Sequence, residues 1–173
     1  MRARRLAAHA AARGITLIEC VIAVAIVAAL MSIALPSFGE AMARARLRAA
    51  AQDLALDLGN ARLESLRQGA GIVHVSVRPG TGWCWAVGPV AGADCHAPPV
   101  GTLHVARADD YPGVVMTGGV DTRFDGRDTL APAGFAAEFE LPQGQQLRVQ
   151  VTPLGRAIVC APQGRSRDFP RCS

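Results

Sequence analysis

Residues 15–35 read ITLIECVIAVAIVAALMSIAL, an apolar run broken by one charge, Glu19. As an α-helix rising ~1.5 Å per residue, a segment of this length spans roughly 30 Å, the thickness of a bilayer's hydrocarbon layer. Ahead of it stands MRARRLAAHAAARG, residues 1–14, with Arg2, Arg4, Arg5 and Arg13 and no acid. The positive-inside tendency holds such an end in the cytoplasm and sends the C-terminal bulk across the membrane. A secretory signal would place a small-residue cleavage site after the apolar run. Residues 33–40 (IALPSFGE) offer no such site, so the apolar segment is expected to be retained. Glu19 needs a reason to be there, because a carboxylate in lipid costs roughly 2–3 kcal/mol on insertion scales and is usually partnered.

Composition narrows the class. Half of the 173 residues are hydrophobic and 18% are charged, a poor match to a disordered chain. All 18 basic residues are Arg, against 14 acids, for a formal net charge of +4. Since four of those Arg precede Gly14, the chain from Ile15 onward is electrically balanced. A globally basic nucleic-acid binder is excluded; only a local basic patch could do that work. The length allows one domain with a real core and an appendage.

The border between leader and apolar run is more specific. Gly14-Ile15-Thr16-Leu17-Ile18-Glu19 resembles the class III signal of type IV pilins and type II secretion pseudopilins. The resemblance implies that a prepilin peptidase cuts between Gly14 and Ile15 and methylates the new amino terminus on Ile15. Ile15 stands where Phe is usual, and Pro36 falls where pilin helices commonly carry a proline. Glu19 becomes the fifth mature residue and an assembly residue. Pairing with a neighbouring subunit's cationic amino terminus would offset its cost in lipid and set axial register. The implied location is the bacterial inner membrane, crossed once with the head in the periplasm, and then a pilus at the cell surface among other pilins.

Residues 37–68 keep helical spacing, with Phe38/Met42, Leu47/Leu54/Leu58 and Leu56/Leu63 four or seven apart. Glu40/Arg44 and Glu64/Arg67 are favourable helical pairs, and Gly69-Ala70-Gly71 ends the pattern. One helix is predicted from Ile15 to Gln68: a membrane or filament-core part over 15–36, then an amphipathic part over 37–68. From 72 to 173 the chain reads as β-rich. Strands are predicted at Ile72–Val77, Trp83–Val87, Thr102–Ala106, Gly113–Met116, Thr122–Phe124, Phe135–Leu141, Gln146–Thr152 and Ala157–Cys160, punctuated by Gly and Pro. The expected class is α+β, a long N-terminal helix packed on an antiparallel head spanning 37–173, the type IV pilin-like fold. Trp83 and Trp85 bracket Cys84 on one face of a strand and read as core or inter-subunit packing.

Of five cysteines, Cys20 lies in the apolar helix and reads as a small buried hydrophobe. Cys84, Cys95, Cys160 and Cys172 belong to an exported, oxidising setting. Four cysteines allow three pairings; the nearest-neighbour pairing, Cys84–Cys95 and Cys160–Cys172, is preferred. Each bridge closes a short loop, a constraint of roughly 2–3 kcal/mol. Cys84, Cys95 and His96 lack metal-ligand spacing. Asp121, Asp125 and Asp128 around Gly126 fail the Ca²⁺-loop pattern and read as a polar turn. No metal or cofactor is expected, and no catalytic motif is present that would make the chain an enzyme.

The stretch from Arg148 to Ser173 concentrates positive charge: Arg148, Arg156, Arg165, Arg167 and Arg171 against a single acid, Asp168. Within it, Gly164-Arg165-Ser166-Arg167 lies between Cys160 and Cys172. Guanidinium forks suit phosphate oxygens, and such contacts are blind to base sequence. Together with Phe124-Asp125-Gly126-Arg127 and Leu154-Gly155-Arg156-Ala157-Ile158-Val159-Cys160, this region resembles the GspH/FimT group of minor pilins and pseudopilins. Gly-Arg-x-Arg at 164–167 is similar to the DNA-binding motif of the FimT-type minor pilins of natural transformation. The resemblance implies that Gly164, Arg165 and Arg167, helped by Arg156, Arg171 and Arg148, hold the phosphates of duplex DNA for uptake. The competing reading is a structural minor pilin or GspH-like type II secretion pseudopilin that primes or caps a filament without binding DNA.

Overall fold

The computed structural model describes residues 16–69, 71–128, 134–162, 164 and 168–172. Helix α1 spans Leu17–Arg67. Thr16 caps its start, its hydroxyl accepting the Glu19 backbone N–H at 3.3 Å, one of the donors a first turn leaves free. At the other end the Gly69 N–H reaches the Leu66 carbonyl at 3.2 Å and closes the helix. The helix is therefore slightly shorter than Ile15–Gln68, with Thr16 outside it as a cap and Gln68 in the turn.

The chain divides into two compact units, Met1–Gly39 and Glu40–Ser173. In the first, the α1 side chains from Leu17 to Ser32 are exposed, Leu17, Ile22, Val24 and Leu30 among them. Cys20, expected to be buried, is exposed with them, on a rod whose apolar surface the chain does not itself cover. Among the described residues no single helix is long and apolar enough to cross a membrane; Leu17–Ser32 and Ser37–Arg67 reach that length and composition only together.

The second unit is an α+β head. Eight strands follow the helix: β1 (Ile72–Arg78), β2 (Cys84–Gly88), β3 (His104–Arg107), β4 (Val115–Gly119), β5 (Thr122–Asp125), β6 (Gly134–Glu140), β7 (Gln146–Val151) and β8 (Ala157–Cys160). They form two antiparallel four-stranded sheets, ordered β3-β2-β1-β5 and β4-β6-β7-β8. One core joins α1 to both sheets, built on Leu54 and Leu58, Val73 and Val75, Trp85, Met116, Phe139 and Val149. Gly119 allows the two sheets to approach: a Cβ there would lie 2.4 Å from Val77 Cγ1, where no side chain fits.

The helix stripe matches the expected one only in part. Leu47, Ala50, Ala51, Leu54, Leu58 and Ala61 are buried, whereas Leu56 and Leu63 are 64% and 66% exposed. At ~100° per residue, Leu56 stands about 200° around the helix from Leu54, on the opposite face. The contact is made of small alanines between leucines, which lets the helix lie close to the strands.

Strand β2 is buried along its whole length. Trp85 and Val87 enter the main core, while Cys84 and Ala86 face a second, smaller cluster with Ala93 and Cys95. The Cys84–Cys95 disulfide holds that covering loop in place. Buried Ser76 is satisfied there by accepting the Ala93 N–H at 3.0 Å.

Trp83 and Trp85 both lie in the core, their rings stacked at 5.7 Å. Tyr111 stacks on both, and Phe139 meets both edge-on at 5.4 and 6.0 Å. Two helix carboxylates one turn apart secure this cluster. Asp57 accepts the Trp85 indole N–H at 2.7 Å and contacts His104 Nδ1 at 2.7 Å; Asp53 accepts the Tyr111 hydroxyl at 2.7 Å. Burial, and then the Asp53 carboxylate, raise the Tyr111 phenol well above its ordinary 10.0. A raised folded value contributes stability that is complete below pH 10 and is lost as the pH climbs above it. Tyr111 is the chain's one tyrosine, so phenolate absorbance should appear above pH 10 only in step with unfolding. A folded head whose phenol titrates freely at the ordinary value would refute this.

Candidate functional site

Strands β7 and β8 carry the arginine-rich end of the head. Alternation along β7 buries Leu147, Val149 and Val151 and leaves Gln146, Arg148 and Gln150 on the other face. Register places Arg148 opposite Cys160 and Gln150 opposite Ile158. Two residues before Ile158, Arg156 continues the same row at the turn. That turn is tightly bonded: Gly155 N–H to Thr152 C=O at 2.7 Å, Thr152 N–H to Arg156 C=O at 2.9 Å, and Arg156 N–H to Thr152 Oγ1 at 3.1 Å. Arg156 is thus held by its backbone and exposed through its side chain.

Beyond β8 the chain is closed on itself. Cys160 is bonded to Cys172. Ala161 pairs in parallel with Arg171, its N–H reaching Pro170 C=O at 2.8 Å and its carbonyl accepting the Cys172 and Gly164 N–H groups at 3.2 Å. Gly164 takes φ +62°, which strains any side chain, and a Cβ there would meet the stem of Arg171 at 3.8 Å. On the far side Phe169 packs, half-buried, against the core, and Asp168 forms an ion pair with Arg48 of α1.

Arg165 and Arg167 lie outside the described residues, as do Gly14 and Ile15. Gly164, Arg156 and Arg171 are exposed at this end of the head. Arg148 is engaged within the sheet. Its Nε and Nη2 both donate to Glu138 Oε2, at 2.9 and 2.7 Å, on the facing strand β6. A half-buried guanidinium engaged in this way braces the sheet. Glu19 is exposed in the first turn of α1. Among the described residues no cluster of His, Cys, Asp and Glu could hold a metal ion. Asp125 caps its own turn by accepting the Arg127 N–H at 3.0 Å, and Asp121 accepts the Val77 N–H at 2.8 Å.

The protein-family model described as "Type II transport protein GspH" matches residues 50–155, more than half of the chain. The chain belongs to the GspH family. No curated protein and no solved structure matches it. The matched span runs from the buried helix stripe at Ala50 to the β7–β8 turn at Gly155. It therefore covers the core of the GspH-family head and stops short of β8 and the cystine-closed segment.

Sequence reasoning missed several partners in this GspH-family head. Asp53 and Asp57 left a trace, two carboxylates at i,i+4 beside a buried helix stripe. Glu138 and Arg148 left none, because cross-strand pairing depends on register. Arg48 and Asp168, 120 residues apart, left none either.

Proposed function

We propose that this GspH-family chain is a minor pilin of the FimT type that binds duplex DNA without sequence preference and serves DNA uptake. Arg165 and Arg167 contact successive phosphates, with Arg156 and Arg171 adding charge beside them. The reading is supported above all by the pairing of Asp168 with Arg48, which neutralises the one acid of the C-terminal stretch and leaves that edge cationic. Bidentate guanidinium contacts to phosphate give affinity through counterion release and no base readout.

Assembly follows the pilin pattern. Residues 1–14 are removed by a prepilin peptidase between Gly14 and Ile15, and Ile15 is methylated. Residues 15–36 lie in the inner membrane before assembly and in the filament core afterwards. Residues 37–173 form the head, periplasmic at first and then at the surface of a pilus. Glu19 pairs with a neighbouring pilin's amino terminus. The exposed apolar side chains of α1, Leu17 to Met31 and then Phe38, Leu56 and Leu63, supply the surface such subunits bury against one another.

A salt titration of DNA binding tests this. With Arg148 engaged elsewhere, four arginines remain, and log affinity should fall with log salt at a slope of about −3 to −4. Absence of binding at low salt, or a flat dependence, would remove the DNA role. A structural pseudopilin that primes or caps a type II secretion filament would then be the reading, one favoured by the description of the matching family.

A further inference from the structure

Most arginines on the head's part of α1 already have partners. Arg44 pairs with Glu40, Arg48 with Asp168 and Arg67 with Glu64, and Arg46 donates to the Pro112 carbonyl. Arg62 differs. It is half-buried, yet among the described residues no carboxylate or carbonyl accepts from its guanidinium. What that group touches is the β7–β8 turn. A Cβ at Gly155 would lie 2.5 Å from Arg62 Nη1, 2.7 Å from its Cζ and 2.9 Å from its Cδ. The end of Arg62 is therefore laid on Gly155, which is buried there. Gly155 also takes φ +72°, so two separate constraints keep this position bare. The next residue is Arg156, its backbone pinned to Thr152 and its side chain exposed. Residues 152–158 (TPLGRAI) contain no acid. Two arginines, one from the helix and one from the sheet, thus share one turn, with no carboxylate bonded to either among the described residues.

We infer that Arg62 is a further phosphate-binding residue: with Arg156 it takes one phosphate group of the duplex beside Gly155. Guanidinium donors that no protein acceptor uses suit phosphate oxygens, and an anion between two cations relieves their repulsion. The inference rests on the DNA-binding reading above and adds a residue of α1 to it. Arg62 stands 14 residues beyond Arg48, about 21 Å along the helix axis and only ~40° around it. It thus shares the flank to which Asp168 ties the C-terminal segment, and a duplex laid along that flank can meet both.

Methionine at this position keeps an unbranched stem and removes the charge; lysine keeps the charge and removes the planar fork. The experiment uses the full chain in non-ionic detergent with a duplex DNA probe. R62M should bind about three- to tenfold more weakly near ~0.1 M salt, with a log–log slope shallower by about 0.9. R62K should keep the slope. The wild-type slope should accordingly exceed by about 0.9 that of the four arginines counted above. R123M, which removes the same charge from exposed Arg123 on β5, should leave affinity and slope unchanged. An Arg62 that merely packs on Gly155 predicts wild-type affinity and slope in R62M. That result, or an equal loss in R123M, overturns the inference while the DNA reading stands.

A second measurement needs neither a variant nor DNA. Inorganic phosphate, titrated into the wild-type chain, should move the nuclear magnetic resonances of Arg62 Nε–H and the Gly155 amide well before that of Arg123 Nε–H. Equal movement at Arg123, or none at Gly155, means an adventitious ion only and overturns the site. A wild-type chain that binds no DNA yet shows the selective shift would sink the DNA reading and leave the phosphate site standing.

Discussion

The double variant R165A/R167A should bind duplex DNA roughly 10- to 100-fold more weakly than the wild type near 0.1 M salt. The size follows from counterion release. Each phosphate neutralised contributes about 0.9 to the log–log slope, so at ~0.1 M salt two lost contacts remove close to two decades of affinity. The slope itself should become shallower by about 1.8, leaving the remainder to Arg156 and Arg171. The conservative pair R165K/R167K should keep the slope and lose only severalfold in affinity, because lysine retains charge but not the planar fork. Mobility-shift titrations at several salt concentrations measure both quantities. Undiminished affinity in the alanine variant would end the claim that these two arginines hold DNA.

Phe139→Ala should cost the head about 3–5 kcal/mol. Phe139 is fully buried and meets Trp83 and Trp85 edge-on, so its removal leaves a void that two stacked indoles, pinned by their N–H bonds, cannot collapse to fill. The indole of Trp83 is held by the Val114 carbonyl at 2.8 Å and that of Trp85 by Asp57. In thermal unfolding the midpoint should fall by on the order of 10 °C. Leu56→Ala is the matched control. Leu56 is larger than alanine by the same logic of lost apolar surface, but it lies on the exposed face of α1, and its loss should stay near 0.5 kcal/mol. Equal losses at the two positions would mean that the helix stripe has been assigned to the wrong face.

The contrast between those two residues shows what local pattern reveals and what it leaves out. Alternation over Ile72–Val77 marked β1, because one face of that strand meets the core. The eight predicted strands each overlap an observed one, since Gly and Pro punctuate them, though Thr102–Leu103 and Gly113–Val114 precede their strands. The helix was plain from its length, but its buried face was not. Leucine spacing gave two candidate stripes, and alanines, which carry little hydrophobic signal, decide between them. Trp83 and Trp85 were placed on one face by strand geometry alone, while the carboxylate that holds the Trp85 indole came from a helix 28 residues earlier. Among the candidate site residues, exposure of Arg156 and Arg171 agrees with their polarity. The engagement of Arg148 depends on which strand lies beside β7, and a sequence does not print its register. Thr16 was legible in principle, as a hydroxyl three residues before a glutamate at a helix start.

The two cystines have a consequence for maturation. Cys84–Cys95 and Cys160–Cys172 each staple a strand to the loop that follows it; neither welds sheet to sheet or sheet to helix. The head can therefore condense its aromatic and aliphatic interior before any thiol is oxidised, and the margins set afterwards. In a reducing milieu such a head would keep its core but lose the fastening of Cys172 to Cys160. Oxidation would then act as a finishing step, deciding whether the end of the chain is fastened to β8.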